Sequence, residues 1–410
     1  MKRRAFLKRL AGTATLAFPP FSVVRQARPR VGVVGGGIVG VSISLHLARG
    51  GADVVLFERQ GAAAGATSKS FAWLNAMSAN VDYHALRRRS LLAWRELASQ
   101  VGLQVNWGGV FMWERRGTAT EQAVAELRAL QAAISTADYP LRSLTPSDFS
   151  TIAPEISPGD FEIAIHCGVD GHIDPVAVTN KLLQAAGGHG VDITMPCEVT
   201  AIRMESGRIR AATTAGDYHL DRLVIAAGVD SARLTSLAGY QPPLDHAPGI
   251  LAHSRSMQFA SAAVHYAPGV HFKQFPDGRI VGADSDRPPD TPAHEQILRR
   301  AGGFPDQAMR DEHGERILAR IGDVMPDARH AELDRLTLGF RPMPSDGLPI
   351  VGYVPGSAHV YLAVMHSGVT LAPIMGQLIS REVLSDNGTD LLGSYRPDRF
   401  SGRDDDPGRL

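Results

Sequence analysis

Near the start of the chain, apolar and polar positions predict a strand, a helix and a second strand in close succession. Residues 30–34 (RVGVV) form a short run rich in β-branched residues that stops at Gly35-Gly36-Gly37. From Ile38 to Arg49 apolar residues recur at helical spacing (Ile38, Val41, Leu45, Ala48), and Gly50-Gly51 stops the helix. A second apolar run over 53–57 reads as a strand that ends at Glu58. Further on, 82–130 is mainly helical in pattern, with Trp94 and Trp107, and 176–187 reads as a helix feeding a β-meander over 191–228. From 242 to 321 the pattern is strand-like, then proline-rich, then helical. A strand over 359–364 follows, and a helix opens after His366 and ends near Leu384.

Composition narrows the class. At 410 residues the chain is long enough for two or three compact units. Hydrophobic residues at 44% and charged residues at 20% exclude wholesale disorder. Lys+Arg and Asp+Glu are both 42, so no general footprint for nucleic acid exists. The two cysteines, Cys167 and Cys197, make neither a disulfide framework nor a Cys-rich zinc site, and read as core residues.

Residues 1–28 carry Lys2, Arg3, Arg4, Lys8 and Arg9 ahead of an apolar stretch over 10–18. That stretch is too short to span a bilayer, which takes about 20 residues. The order of basic, apolar and polar regions is that of an export signal. Arg3-Arg4-Ala5-Phe6-Leu7-Lys8 resembles the twin-arginine motif; the alternative is a chance basic end or an amphipathic surface helix. The resemblance implies export in the folded state by the twin-arginine machinery, a periplasmic or cell-envelope location, and a cofactor inserted beforehand. Cleavage after Ala27, elsewhere, or not at all stays open.

The β-α-β unit places Gly35-x-Gly37-x-x-Gly40 at its first turn. The first glycine makes the turn, the second lets backbone approach a pyrophosphate, and the third lets helix and strand pack closely. The helix N-terminus, at Ile38 and Val39, then offers free N–H groups and a positive dipole end to the phosphates. Glu58 lies 18 positions beyond Gly40, where an acid meets ribose hydroxyls and repels a 2′-phosphate. NAD and FAD both fit that unit. What favours FAD is the next segment, Arg59 onward, where a loop of small and hydroxyl residues (Ala66, Thr67, Ser68) replaces a plain helix.

At this point the chain resembles the FAD-dependent oxidoreductases of the D-amino-acid oxidase type, a family that includes glycine oxidase, sarcosine oxidase and D-amino-acid dehydrogenase. The resemblance runs in order from Arg30 to about Leu384. Its carriers are the glycine turn with Glu58, Gly65-Ala66-Thr67-Ser68, and Val169-Asp170-Gly171-His172-Ile173-Asp174-Pro175. Val224-Ile225-Ala226-Ala227-Gly228 follows, then Gly339-Phe340-Arg341-Pro342 with Asp346-Gly347, Pro349 and Gly352, then His366-Ser367-Gly368-Val369-Thr370-Leu371-Ala372-Pro373.

The resemblance implies an α/β fold: a Rossmann-like FAD-binding domain with an inserted α+β substrate domain on an antiparallel sheet. The FAD domain takes 29–91, 151–236 and 329–386, the substrate domain 92–150 and 237–328, and 387–410 is a polar, frayed tail. Val199, Ala227 and Gly228 join the cofactor contacts. Backbone N–H groups of Gly368, Val369 and Thr370 meet the flavin at a helix N-terminus, with His366 close by.

Arg341 matches the arginine that holds the substrate carboxylate in amino-acid-oxidising relatives; a planar fork suits that job, and an internal salt bridge is the other reading. Lys273 and Arg279 are its rivals. His253, Tyr266, His271, Lys273 and Gln274 lie on strands of the inserted domain, with His271 and Lys273 on one face and a solvated strand face expected for all but one of the five.

No Cys stands near Phe340 and no His near Ser70, where relatives attach flavin, so the FAD is expected to be non-covalent. The implied activity is oxidation of the CH–N bond of a small amino acid or N-alkyl amino acid, by hydride transfer to flavin N5 and hydrolysis of the imine, with no metal. Oxygen, or a quinone or carrier, takes the electrons. Three alternatives stand beside it: an idle flavoprotein with an assembly or interaction role, an oxidase of amines lacking a carboxylate, and an NAD-dependent dehydrogenase.

Overall fold

The run at residues 30–34 becomes the strand Arg30–Val34, and Asp53–Phe57 lies parallel beside it in register, Val31 opposite Val54 and Val33 opposite Leu56. Val54 to Phe57 are all buried, as expected of strands covered on both faces, which read as continuous apolar runs. A computed structural model describes residues 28–117, 121–285, 292–299, 306–385 and 387–401. The export segment assigned to 1–28 falls, up to residue 27, outside the described residues.

Among the described residues, six strands make the first sheet, in the order Ile350–Tyr353, Val360–Val364, Arg222–Ile225, Arg30–Val34, Asp53–Phe57, Asp192–Thr194. All are parallel except the antiparallel edge strand Ile350–Tyr353. Helix Ile38–Arg49 lies against the helices Pro175–Gly188 and Gly368–Ser385. Asp174 caps the first of these two, its carboxylate accepting from Val176 N and Ala177 N.

The meander expected over 191–228 is shorter than predicted. Only Val199–Glu205, Arg208–Thr213 and Gly216–Leu220 form it, turning at Ser206 and Gly207, both at positive φ. The first and last strands of that stretch join the parallel sheet instead. Leu223, Val224 and Ile225 are fully buried, so their face is not half-solvated as a meander's would be. Asp221 marks the handover: its carboxylate accepts from Arg30 N at 2.7 Å, and its own N–H donates to Arg30 O.

The second large sheet has eight strands among the described residues, in the order Leu333–Pro344, Leu244–Ser254, Ile280–Ala283, Val270–Gln274, Val264–Ala267, Val110–Arg115, Phe161–Cys167, Arg142–Ser143. It is antiparallel apart from the pairing of Val264–Ala267 with Val110–Arg115. Two of its strands, Phe161–Cys167 and Leu333–Pro344, lie in stretches that the sequence pattern grouped with the cofactor fold. The region 82–130 is also less helical than expected: Val110–Arg115 stands between helices Val81–Val101 and Glu121–Ile134. Its four apolar residues are buried, and a run that short reads equally well as helix or strand.

Residues 387–401 are not frayed. Leu392 and Tyr395 are buried, Arg396 holds Glu382 through two bonds of 2.6 and 2.8 Å, and Arg399 pairs with Asp346. Two ion pairs and two buried side chains seat this segment on the parallel sheet's edge. Residues 402–410 lie outside the described residues.

Candidate active site

Gly35 sits at φ +118°, and a Cβ there would collide with the Ala226 carbonyl oxygen. A Cβ on Gly40 would collide with Gly35 O, so these two glycines close helix onto strand. Gly37 differs. As the N-cap of helix Ile38–Arg49, its Cβ position meets only Thr67 Oγ1 within 4 Å, at 3.2 Å. The space left by the missing side chain belongs to a cavity of about 1970 Å³, lined at this end by Gly35, Gly37, Ile38, Val39, Ala66 and Thr67. Glu58 lines it too, its carboxylate fixed by Gly36 N and Gln60 N at 2.7 Å each. Each carboxylate oxygen keeps a second lone pair for a ligand hydroxyl.

Arg59 forms an ion pair with Asp230, and both line the cavity, as do Val199, Ala227 and Gly228. Two expected cofactor residues do not. Gly40 is a packing glycine, as its carbonyl neighbour dictates, and Ser68 turns its hydroxyl back to Gly65 O at 3.3 Å. Thr67 Oγ1, by contrast, accepts from Ile38 N at 3.2 Å and ties the loop to the helix start.

Along the cavity stands the N-terminus of helix Gly368–Ser385, with Gly368, Val369 and Thr370 in its wall beside His366 and Ser367. Ser367 holds φ +57°, a left-handed conformation that costs a non-glycine residue roughly 1–3 kcal/mol. Its hydroxyl shares a 3.0 Å hydrogen bond with His366 Nδ1. The Thr370 hydroxyl donates to Trp73 O at 3.0 Å.

Arg341 lies on strand Leu333–Pro344, opposite Ala247 of the neighbouring strand. Small residues across from it leave room for its fork: a Cβ at Gly249 would lie 3.8–3.9 Å from the guanidinium. Nη2 donates to Pro248 O at 3.1 Å, and the side chain lines the cavity. Neither rival does. Lys273 is fully buried, donates to Ile173 O at 2.9 Å and lies over the Phe275 ring; burial pushes its ammonium well below the ordinary range. Arg279 is paired with Asp277 and Asp174.

The expected solvated strand face is absent at His253, Lys273 and Gln274, all buried and internally bonded: His253 to Thr337 Oγ1, Gln274 to Ala260 N and Gln258 O. Tyr266 and His271 line the cavity, their rings stacked at 5.3 Å. Phe71 meets His271 edge-on at 4.7 Å, and Trp73 lies 6.3 Å from Tyr266, so four aromatic rings form one wall.

The sequence reading missed Trp73, Asn75, Met77, Arg87 and Asp284, which all line the cavity. Asp284 is bonded by Arg316 at 2.7 and 3.0 Å and by Arg320 at 3.0 Å. Burial opposes its charge, but Arg316 holds its carboxyl below the usual range. Residues 73–77 carry no motif, and their place follows from tertiary packing alone. Cys197 lines the cavity as well; Cys167 is a core thiol, which burial pushes up to about 12.

The cradle fits a flavin dinucleotide: an open glycine N-cap, a fixed strand-end carboxylate and a second helix N-terminus line one continuous cavity. Comparison with known proteins agrees. The family DAO, FAD dependent oxidoreductase, matches residues 30–382. One of the chains of the opine oxidase of Agrobacterium tumefaciens (strain Ach5) is 24% identical over 382 residues, covering 90% of this chain and 96% of that protein. Glycine oxidase of Geobacillus kaustophilus (strain HTA426) is 26% identical over 361 residues, covering 85% and 91%. The crystal structure of glycine oxidase from Geobacillus kaustophilus superposes with a TM-score of 0.79 at 23% identity, covering 91% of this chain and all of that one, which speaks to the fold. With the match running from the first strand into the last long helix, the chain belongs to the DAO family and is a FAD-dependent oxidoreductase that holds its cofactor non-covalently.

Proposed function

We propose that the enzyme oxidises the CH–N bond of a small amino acid or N-alkyl amino acid whose carboxylate rests on Arg341. The observation that carries this reading is the Arg341 guanidinium in the wall of the same cavity as the glycine turn and the Gly368 helix end. A guanidinium stays charged across the working pH range and can grip a carboxylate through two parallel bonds. The aromatic wall of Phe71, Trp73, Tyr266 and His271 would pack the substrate carbon and exclude water. When bound, FAD supplies the hydride acceptor. A substrate amine that binds deprotonated needs no dedicated base, and none is assigned. Support comes also from the names of similar proteins, opine oxidase and glycine oxidase among them.

The experiment is an anaerobic panel of D-amino acids, glycine, sarcosine and simple amines, read as bleaching of the flavin band. Bleaching by carboxylate-bearing amines and not by amines lacking a carboxylate is expected; the reverse would move the function to plain amines. Admitting air afterwards separates the acceptors: prompt return of colour means an oxidase, persistent bleaching a dehydrogenase that needs a quinone or carrier. The twin-arginine-like Arg3-Arg4 pair supports export to the periplasm or cell envelope, where such a dehydrogenase would work.

A further inference from the structure

The segment Val169 to Pro175 backs part of the cavity wall, at Ala72 and Trp73. Gly171 and His172 pair with Leu74 and Trp73 in a two-stranded antiparallel ladder, and Ile173 N donates to Ala72 O. Gly171 has to be a glycine: a Cβ there would meet Asn106 O at 2.6 Å and the Trp107 ring at 2.8 Å. From the same segment the Asp170 carboxylate, fully buried, accepts from Trp73 Nε1 at 3.0 Å and from the Tyr139 hydroxyl at 2.7 Å. Tyr139 in turn accepts from Ala76 N at 3.0 Å. Asp170 thus grips the segment 73–76 twice, directly at the indole and through Tyr139 three residues on.

We infer that Asp170 is a positioning residue, which fixes the Trp73 indole in the cavity wall where the substrate is to bind. The segment is held on its other side as well. Thr370 Oγ1 donates to Trp73 O, while Arg87 donates to Asn75 O, Asn75 Oδ1 and Met77 O. Trp73, Asn75 and Met77 line the cavity. Both hydrogen bonds to the Asp170 carboxylate come from neutral side chains, and Arg87 acts on it only across space. A carboxylate can accept from both donors at once, one on each oxygen, whereas an amide in its place would turn its NH2 toward one of them. Burial accordingly pushes the Asp170 carboxyl up to about 7. Such a costly group is hard to explain as filling alone.

The test uses Asp170→Asn, Trp73→Phe and the double variant as FAD-loaded full-length enzymes. The Trp73 signal is isolated as the near-ultraviolet circular dichroism of wild type minus Trp73→Phe. Asp170→Asn is expected to remove most of that signal while leaving far-ultraviolet dichroism and FAD content as in wild type. The kinetic arm rests on the amino-acid-oxidising reading and uses whichever of sarcosine, glycine or D-alanine bleaches the wild-type flavin. Each single variant should raise KM about tenfold with kcat little changed, and the double variant should be no worse than the worse single one. A Trp73 signal left intact in Asp170→Asn, or effects that multiply to about a hundredfold in the double variant, would overturn the inference. Should Asp170→Asn not fold, Trp73→Phe decides alone, and a KM within twofold of wild type overturns it. Failure of all three substrates in wild type would count against the functional reading, while the dichroism arm would still decide the role of Asp170.

Discussion

At Gly37 a Cβ has no backbone to collide with, so a larger side chain would fold into the cavity rather than break the turn. Gly37→Val is therefore expected to leave the thermal midpoint of the cofactor-free protein within a few degrees of wild type. It should leave the purified protein with less than about a tenth of its FAD, because the side chain occupies the pyrophosphate approach. Flavin absorbance per protein checks this; full flavin content would move the dinucleotide elsewhere.

His265 makes a different prediction at the same scale. Fully buried and bonded to Ser261 Oγ, its imidazole is pushed down to about 3 by desolvation. The unfolded chain takes up a proton near pH 6.5 and the folded one does not, so stability is lost as pH falls from about 6.5 toward 3. The slope is at most about 1.4 kcal/mol per pH unit for that one group. In His265→Asn the acid-side slope should be shallower by up to that amount in urea melts between pH 6 and 4, and an unchanged slope would contradict it. Arg341 was legible in the sequence because a motif surrounds it. Trp73 and Asp284 were not, since nothing adjacent in the chain marks them and only packing brings them to the cavity.

Among the elements, the strand–helix–strand unit at 30–57 was readable because helix period, glycine stops and a doubly buried apolar run all agree there. The stretch 191–228 was harder, because strand patterns do not say which sheet a strand will join. Arg222–Ile225 goes to the parallel sheet through the exchange of bonds between Asp221 and Arg30, residues 191 apart in sequence. Residues 387–401 misled for another reason: a polar composition conceals the bidentate Arg396–Glu382 pair, whose carboxylate side chain is only 4% exposed. Burial works against the Glu382 charge, and the bonds from Arg396 hold its carboxyl below the usual range. Arg396→Ala leaves that carboxylate without its cation. It is expected to cost about 2–3 kcal/mol, discounted from the fully buried case because Arg396 itself is partly exposed. The measurement is a lower denaturation midpoint, accompanied by faster proteolysis within 387–401. An unchanged midpoint would mean that the segment is held without this pair, by Leu392, Tyr395 and the Arg399–Asp346 pair.

For the whole molecule, a largely parallel sheet carries the dinucleotide cradle and a larger, mostly antiparallel one carries Arg341, Tyr266 and His271 over the same cavity. Motif order along the chain foretold that two-part design, whereas the membership of Phe161–Cys167 and Leu333–Pro344 in the larger sheet did not show in it. Delivery belongs to this scale too. Replacing Arg3-Arg4 by Lys-Lys is expected to leave flavin-loaded protein in the cytoplasm, measured by fractionation, and unchanged export would remove the twin-arginine reading.

The most direct test of the central claim is kcat/KM of Arg341→Ala on the best carboxylate-bearing substrate of the panel. Truncating one member of a desolvated charge pair costs about 3–5 kcal/mol, and each 1.36 kcal/mol is about tenfold in rate. The account predicts a loss of roughly two to four powers of ten, partial recovery in Arg341→Lys, whose ammonium lacks the planar fork, and unchanged FAD content. Turnover at the wild-type rate, or loss of FAD from Arg341→Ala, would contradict it.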